Sequence, residues 1–318
     1  MQTNIEKAIL ELNNTGIVAI PTETVYGLAG NAFSENAVKK IFRLKKRPAH
    51  NPLIVHLSSA DDLEKIAKEI PETAFKLARS FWPGPLTLVL KKKNIIPGVV
   101  TSGLETVAVR VPNHPLTLEL LQRLQFPLAA PSANPFGSIS PTKAAHVKKY
   151  FKGRLSTVLD GGECERGIES TIVGFNGEEP IILRHGAISI EELEKVVGSL
   201  KFSTHNEDKP NAPGMLSRHY SPATESYLTT DVIKAMTSFP GKRIGLLLFS
   251  KRVPDHTLIH QEVLSETGNF KEAANKLYAA MHRLDKKNAD VLIFEELPEK
   301  GLGLTINDKL RRATNRKI

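Results

Sequence analysis

Short apolar runs separated by turn residues dominate the first two hundred positions of the chain. Apolar runs rich in Val and Ile and bounded by Pro, Gly or polar residues are typical of buried strands. Segments with apolar side chains every three or four residues are typical of helices packed on one face. The pattern predicts strands over 16–20, 53–57, 86–90, 107–111, 128–130, 157–159, 171–175 and 181–183, and helices over 36–44, 60–70, 72–80, 116–125, 142–149 and 190–197. Thr3 with Glu6, and Ser189 with Glu192, match the capping-box pattern of a helix start.

The periodic pattern stops near residue 200 and resumes near residue 223. Between them, Asn, Asp, Lys, Pro and Gly dominate, which is typical of a linker. Beyond it, strands over 243–249 and 291–294 flank an apolar helical stripe at Ala273, Leu277, Met281 and Leu284. A strand–helix–strand order favours a parallel pair. We therefore predict an α/β (α+β) domain over residues 1–200, a linker over 201–222 and a smaller α/β domain over 223–318.

Composition narrows the class of protein. The chain has 318 residues, of which 41% are hydrophobic and 24% charged, as in an ordinary globular protein. The single cysteine, Cys164, excludes an intrachain disulfide and a multi-cysteine zinc site. No apolar run is long enough to span a bilayer, and the first residues lack a signal pattern, so we expect a cytoplasmic location and no membrane partner.

Basic residues exceed acidic ones, and a few of them lie where a ligand would bind. The net charge of +9 favours an anionic partner, although scattered lysines on helix faces account for part of it. Lys45 and Arg47 fall in a predicted loop, and Ser132 and Asn134 follow a predicted strand. Cations and hydrogen-bonding side chains of this kind suit a nucleotide phosphate. No GxxxxGK[ST] loop, HExxH pair or paired Cys/His pattern occurs in the sequence.

Arg110 is the most unusual residue of the predicted strands. It stands in the apolar run Val107-Ala108-Val109-Arg110-Val111, where an unpaired arginine would cost several kcal/mol. Two interpretations remain open: a buried ion pair with Glu105 or Glu169, or a clamp for a ligand carboxylate or phosphate. Arg184 has the same two interpretations. The glycine-rich stretch before Glu169 is either a mobile surface loop or a close approach of backbone to a ligand.

Six motifs stand in the order seen in a known family. They are Pro21-Thr22-Glu23-Thr24-Val25-Tyr26-Gly27, Lys45-x-Arg47-Pro48-x-x-Asn51-Pro52-Leu53-x-x-His56, Trp82-Pro83-Gly84-Pro85-Leu86-Thr87, Val107-Ala108-Val109-Arg110, Pro131-Ser132-Ala133-Asn134 and Glu169-Ser170-Thr171. The chain resembles the YrdC-type L-threonylcarbamoyladenylate synthases. The stretch from Pro213 to Pro222 and the ending Gly301-Leu302-Gly303 resemble the two-domain form of that family.

The resemblance implies a fold and a reaction. The fold would be a YrdC-like twisted mixed sheet with helices and a basic concave face, followed by a smaller Rossmann-like α/β domain. The reaction would join L-threonine, bicarbonate and ATP with Mg²⁺ into threonylcarbamoyl-AMP and pyrophosphate, with no tightly bound cofactor. The product would be handed to the machinery that modifies tRNA beside the anticodon, with possible direct contact to tRNA.

The resemblance also implies roles for individual residues. Threonine would be held by Thr24, His56, Arg110, Ala130 and Ser170. ATP would be held by Lys45, Arg47, Asn51, Thr106, Ser132, Asn134, Ser140, Arg184 and Tyr220. Lys45 and Arg47 would be catalytic, because they are best placed to neutralise charge at the α-phosphate. The linker would close over the site through Tyr220, although Ser217 stands where the family leads us to expect an aromatic residue.

Two other functions compete with this one. The first is an RNA-binding module without catalysis, which the net charge favours and which would not need Thr24 or Arg110. The second is a domain related to carbamoyltransferases, whose cysteine-rich zinc modules this chain, with only Cys164, does not have.

Overall fold

A computed structural model describes residues 4–202, 219–254, 259–314 and 316–317. The Ser217 position and most of the predicted linker lie outside the described residues, as does Thr3 of the first predicted capping box. None of the described helices is both long enough and apolar enough to cross a membrane.

Helices and strands alternate along the described chain. The helices are α1 Asn4–Asn13, α2 Glu35–Lys45, α3 Leu63–Ile66, α4 Glu72–Phe81, α5 Gly98–Thr101, α6 Pro115–Arg123, α7 Ala144–Phe151, α8 Ile190–Val197, α9 Val232–Met236, α10 Phe270–Leu284 and α11 Leu302–Ala313, and a 3₁₀ turn covers Ala60–Asp62. The strands are β1 Val18–Ile20, β2 Gly27–Asn31, β3 Ile54–His56, β4 Leu86–Lys91, β5 Thr106–Arg110, β6 Leu128–Ala129, β7 Thr171–Asn176, β8 Glu179–Arg184, β9 Lys201–Phe202, β10 Ser226–Thr229, β11 Ile244–Leu248, β12 Ile259–Val263, β13 Val291–Glu295 and β14 Arg316–Lys317.

The N-terminal strands form one mixed sheet. Within the described residues its nine strands run in the order β1-β2-β6-β3-β5-β4-β7-β8-β9. Strand β3 is parallel to β5, and β4 is parallel to β7, whereas β5 and β4 pair antiparallel. Parallel pairing places the ends of β3 and β5 side by side, with His56 opposite Arg110. The predicted mixed α/β fold class is confirmed.

The C-terminal strands form a second, parallel sheet. Its order in the described chain is β12-β11-β13-β10-β14, and these neighbouring strands pair in parallel. Strand β11 is apolar and buried along its whole length, as expected for a central parallel strand covered on both faces. The predicted domain boundaries at residues 200 and 222 stay predictions, because the intervening segment is mostly undescribed.

The two faces of the larger sheet pack against different groups. On one face Val55, Leu88 and Val109 join the main hydrophobic core under the helices. On the other face a small apolar cluster is formed by Ile54, Val89, Ala108, Ile172 and Leu183. Side chains alternate between faces along a strand, so His56 and Arg110 extend from the same face as Ile54 and Ala108. That face is the floor of the cavity described below.

Helix α10 holds the two sheets together, because two of its faces are buried. Leu277 and Met281 pack with Leu247 and Phe294 of the smaller sheet. The other face carries Asn275, Tyr278 and His282, which contact residues of the N-terminal part. Residues at this spacing share one side of a helix.

The glycine-rich stretch before Glu169 packs against this helix. Gly167 has φ +70°, and a Cβ there would lie 2.1 Å from the Asn275 carbonyl oxygen. The side-chain amide of Asn275 donates to the carbonyl oxygens of Cys164 and Glu165. The close approach at Gly167 is therefore to the backbone of helix α10, and the two interpretations of this stretch, a mobile loop and a ligand contact, stay predictions.

Several sequence predictions of local structure need correction. Strand β2 was missed, since its run Gly27-Leu28-Ala29-Gly30-Asn31 has two glycines and no β-branched residue. The helix predicted over 60–70 is only the 3₁₀ turn followed by α3. The strand predicted over 157–159 is a single bridge between Val158 and Ala19. The capping box at Ser189 and Glu192 is confirmed by both of its hydrogen bonds.

Two stacked histidines connect helices α7 and α10. The rings of His146 and His282 lie 3.9 Å apart between centroids. His146 Nδ1 accepts from the Thr142 N–H, and His282 Nε2 donates to the Ser140 carbonyl oxygen. Burial, and the charges of nearby lysines, lower the pKa of His146 to about 3. Burial lowers the pKa of His282 to about 4. Both rings are therefore neutral at neutral pH.

We expect acid to destabilise the fold through this pair. The unfolded chain binds protons at an ordinary histidine pKa of about 6.5, whereas the folded pair does not, so the free energy of unfolding falls as pH drops below that value. Between pH 7 and pH 5, each of the two histidines should lower the free energy of unfolding by about 2 kcal/mol. His146→Asn with His282→Gln keeps an acceptor and a donor and should remove much of this loss in urea unfolding. His260→Asn, on β12, is the control, and equal pH dependence in both variants would contradict the prediction.

Candidate functional site

One cavity collects residues from eight separate stretches of the chain. Its floor is the free face of β3 and β5, and its walls are loops that follow or precede strands. The lining residues are Thr22, Thr24, Val25, Gly27, Arg47, Ile54, His56, Arg110, Ala130, Pro131, Ser132, Glu169, Ser170, Arg184, His219 and Tyr220. Nine of the fourteen residues predicted to bind threonine or ATP are among them: Thr24, Arg47, His56, Arg110, Ala130, Ser132, Ser170, Arg184 and Tyr220.

Arg110 is fixed at one end of the cavity by partners from the loop after β1. Its Nη2 lies 2.6 Å from Glu23 Oε1, and its Nη1 donates to Thr24 Oγ1 at 2.9 Å. Its Nε donates to the Gly84 carbonyl oxygen. The ion pair of Arg110 is thus with Glu23, and the predicted partners Glu105 and Glu169 are wrong. Because the carboxylate neutralises a buried cation, this pair has to be kept intact for the fold.

Ser170 is held beside Arg184 on the neighbouring wall. Arg184 Nη2 donates to the Ser170 carbonyl oxygen at 2.8 Å and to Ser170 Oγ at 3.1 Å. Ser170 Oγ is also 2.7 Å from Thr87 Oγ1 on β4. A hydroxyl with two fixed neighbours has a defined orientation toward the cavity.

Arg47 has a tightly bound guanidinium. Its Nε donates to the Asn51 carbonyl oxygen, and its Nη2 donates to Asn51 Oδ1 and to the Pro52 carbonyl oxygen. Burial, and the charge of Arg184, lower the pKa of Arg47 to about 9. Arg47 is still charged at neutral pH, and an anion in the cavity would relieve the repulsion between the two guanidinium groups.

Lys45 lies behind the wall. Its ammonium donates to the carbonyl oxygens of Ser132 and Asn134, so it positions the loop after β6. The side chain is almost fully buried, and burial lowers its pKa well below the ordinary lysine value, with the charge of Arg47 adding to the effect. A negative charge nearby would favour its protonated form.

Four other predicted residues do not line the cavity. Asn51 supports Arg47 from behind, and Ser140 Oγ donates to Glu169 Oε1 at 2.6 Å. The Asn134 side-chain amide donates to the carbonyl oxygens of Pro135 and Ser138, within its own loop. Thr106 lies at the start of β5, opposite Lys91, at the other end of the strand from Arg110. The roles predicted for these residues stay predictions.

The side chain of His56 is neutral and forms part of the floor of the cavity. Burial, and the charge of Arg110, lower its pKa to about 3. Its Nδ1 is buried and has no hydrogen-bond partner among the described residues. A neutral imidazole can offer either a donor or an acceptor to a small polar ligand, depending on its tautomer.

His219 and Tyr220 close one side of the cavity. Tyr220 is buried and has φ +67°, a left-handed backbone conformation that is uncommon for a residue with a side chain. Its ring stacks on Tyr278, and the Lys309 and Arg312 cations lie 5.4 and 5.3 Å from its centroid. The His219 N–H donates to the Arg312 carbonyl oxygen. Residues of the C-terminal part therefore hold this wall in place.

Sequence reasoning missed two carboxylates at this site. Glu23 lies inside a motif that was noted for its polar residues. Its partner Arg110 lies 87 positions later, and nothing in the motif predicts that pairing. Glu169 was named in the motif Glu169-Ser170-Thr171 and as a partner of Arg110, but its side chain was given no role in the site, and it accepts from Ser140 and Tyr278. The signal that could have identified Glu169 is its position directly before the polar pair Ser170-Thr171.

The cavity suits a ligand with several negative charges and some polar groups. Arg47, Arg110 and Arg184 all line it, and Arg110 is paired with the carboxylate of Glu23. Several buried polar atoms of neighbouring side chains have no hydrogen-bond partner in the described part of the chain. Among them are Asn51 Nδ2, Asn134 Oδ1 and Tyr220 Oη. Such buried groups are costly unless a ligand or water satisfies them.

Comparisons with known proteins identify the family. The profile of the Sua5_yciO_yrdC family, described as telomere recombination, matches residues 11–186, and that of the threonylcarbamoyl-AMP synthase C-terminal domain matches residues 188–315. The chain belongs to the Sua5/YciO/YrdC family.

Individual relatives match this chain over nearly their full length. Threonylcarbamoyl-AMP synthase of Pyrococcus abyssi is 42% identical, with 95% of this chain and 91% of the relative covered. The Bacillus subtilis enzyme of the same name is 37% identical, with 99% and 94% covered. The crystal structure of P. abyssi Sua5 complexed with L-threonine superposes with a TM-score of 0.91 at 41% identity, covering 99% of this chain and 96% of that one.

The Glu23–Arg110 pair should dominate the electrostatic contribution to stability. Glu23→Gln keeps the shape of the side chain but leaves a buried arginine without its counter-charge, so we expect a loss of about 3 kcal/mol in the free energy of unfolding. Glu72→Gln removes an exposed ion pair with Arg79 and should cost less than about 1 kcal/mol. Urea unfolding of both variants measures the difference, and similar losses would show that the buried pair has no special weight.

Proposed function

We propose that this chain joins L-threonine, bicarbonate and ATP into threonylcarbamoyl-AMP, with release of pyrophosphate. The observation that carries the proposal is the convergence of Arg47, Arg110 and Arg184 with the hydroxyls of Thr24 and Ser170 in one cavity. Relatives that match the whole chain are named threonylcarbamoyl-AMP synthase. The RNA-binding and carbamoyltransferase alternatives have no comparable support.

Threonine would occupy the end of the cavity near Arg110. Its carboxylate would take the charge-assisted hydrogen bonds of Arg110, beside Thr24 and Ser170. The neutral ring of His56 would take a hydrogen bond from the amino or hydroxyl group. Ala130, which lines the adjacent wall, would limit the room beside the threonine side chain.

ATP would occupy the end near Arg47 and Arg184. These two guanidinium groups would face the phosphates, with the Ser132 loop, positioned by Lys45, forming the adjacent wall. Asn51, Asn134, Ser140 and Thr106 would contribute through the loops and the strand that carry them. No three His, Cys, Asp or Glu side chains cluster among the described residues, so we assign no protein ligand to Mg²⁺. The ion would arrive on the phosphates with its own water molecules.

The chemistry needs positioning and charge neutralisation. The threonine amine and bicarbonate form a carbamate with loss of water. A carbamate oxygen then attacks the α-phosphorus, the bond from that phosphorus to the bridging oxygen breaks, and pyrophosphate leaves with the electron pair. No activated nucleophile of the protein is required. Fixed cations that face the developing phosphate charge lower the barrier, and a closed cavity protects the labile carbamate from water.

The product would serve the threonylcarbamoyl modification of adenosine in tRNA. An acyl adenylate is an activated acyl donor, so a second enzyme would have to accept it and transfer the acyl group to the nucleoside. The net charge of +9 is compatible with direct contact to tRNA during that transfer.

Arg47→Ala should reduce turnover by about 10²–10³-fold, because it removes a fixed cation that faces the phosphate charge of the transition state. The assay is pyrophosphate release from ATP with bicarbonate and Mg²⁺, with and without L-threonine. Arg79→Ala, an exposed arginine on α4, is the matched control and should keep wild-type turnover.

Two results of this assay would count against the proposal. Threonine-independent pyrophosphate release by the wild type would show a different acceptor. Unchanged turnover of the Arg47→Ala variant would remove that residue from the mechanism.

A further inference from the structure

Tyr278 contacts the back of the cavity wall from the C-terminal part of the chain. All described residues that line the cavity come from positions up to Tyr220, so the C-terminal sheet adds no lining residue among them. Its helix α10 nevertheless brings the fully buried Tyr278 against two lining residues, Glu169 and Tyr220. The smaller sheet can therefore influence the cavity without touching the ligand.

The hydroxyl of Tyr278 completes a chain of hydrogen bonds. It donates to Glu169 Oε2 at 2.8 Å, and Ser140 Oγ donates to Glu169 Oε1 at 2.6 Å. Each carboxylate oxygen thus accepts one hydrogen bond, from helix α10 in one case and from the segment before α7 in the other. Burial, followed by the negative charge of Glu169, raises the pKa of Tyr278 well above its ordinary value, so the hydroxyl keeps its proton. Glu169 has a defined orientation only while both donors are present.

The same chain fixes Ser140 on its other side. The Ser140 carbonyl oxygen accepts from His282 Nε2, one turn further along α10. Since the Ser140 hydroxyl proton is committed to Glu169, this hydroxyl can offer only a lone pair to any further group. The position of the segment that leads from the Ser132 loop to α7 is therefore set by α10 through two contacts.

The ring of Tyr278 supports Tyr220. The two rings are stacked, with centroids 5.4 Å apart and an angle of 29° between their planes. Tyr220 has the strained φ of +67°, which persists only where the surroundings determine it. The Ser221 N–H donates to the Gly137 carbonyl oxygen and adds a second support from the N-terminal part.

We propose that Tyr278 is a positioning residue for the nucleotide end of the cavity, acting through Glu169 and Tyr220. The proposal rests on the proposed function for the assignment of that end to ATP. The hydroxyl of Ser170, at the threonine end, has two partners of its own, Thr87 and Arg184. The structure therefore predicts a selective effect: ATP binding depends on the Tyr278 hydroxyl, and threonine binding does not.

The test compares Tyr278→Phe with the wild type. The variant keeps the stacked ring and removes one donor from a buried carboxylate, so we expect the KM for ATP and the Kd for ATP to rise about tenfold. The KM for threonine should change less than about twofold. Tyr227→Phe is the matched control, because Tyr227 also donates to a carboxylate, Glu225, but on the exposed side of β10. It should bind both substrates as the wild type does.

A double-mutant cycle separates positioning from general loss of stability. If Tyr278 acts through Glu169, adding Tyr278→Phe to Glu169→Ala should change ATP affinity by less than about twofold, whereas independent effects would multiply. Far-UV circular dichroism checks that each variant is folded. Glu169→Gln replaces Glu169→Ala if the alanine variant does not fold, and the same less-than-multiplicative result is expected.

Calorimetric titration with ATP separates this proposal from the proposed function. If the wild type binds ATP but releases no pyrophosphate with threonine, the proposed function fails, and the ATP affinity of Tyr278→Phe still decides the role of Tyr278. The proposal is overturned if Tyr278→Phe binds ATP like Tyr227→Phe, if both substrates weaken equally, or if the double variant shows the product of the single losses. A wild type that binds no ATP contradicts both.

Discussion

The structure around this cavity depends on the burial of arginine side chains. A guanidinium group removed from water is tolerated only where acceptors surround it, and each of the three here meets that requirement. Arg110 uses Glu23, Thr24 and the Gly84 carbonyl, and Arg47 uses the turn at Asn51 and Pro52. The loops that bring these acceptors are consequently fixed before any ligand arrives.

This arrangement suits a reaction that needs alignment more than it needs a reactive side chain. An amino acid, bicarbonate and a triphosphate have to meet in one orientation, and fixed cations reduce the reorganisation needed when charge shifts in the transition state. The buried histidine His56 stays neutral, so it adds polarity without adding charge. The smaller sheet extends the same principle, since its helix α10 contacts Glu169 and Tyr220 in the cavity wall.

Local patterns in the sequence predicted much of this fold but few of its contacts. The apolar runs located β4, β5 and β7 closely, because burial and β-propensity are local properties. Arg110 was recognisable because it interrupts such a run. Its partner was not, and neither were the carbonyl acceptors of Lys45, which lie 87 and 89 positions away. Contacts of that separation depend on how the strands are ordered in the sheet, and no periodicity records that order.

Threonine, bicarbonate and ATP should meet in this cavity, so one product should carry atoms from all three. Mass spectrometry of the product formed from ¹³C-bicarbonate, L-threonine and ATP is the decisive measurement. We expect a threonine–AMP adduct that carries one ¹³C atom in its carbamoyl group and that the Arg110→Ala variant makes only at raised threonine concentration. An adduct without the label, or no adduct at any threonine concentration, would show that the three substrates do not react together in this cavity.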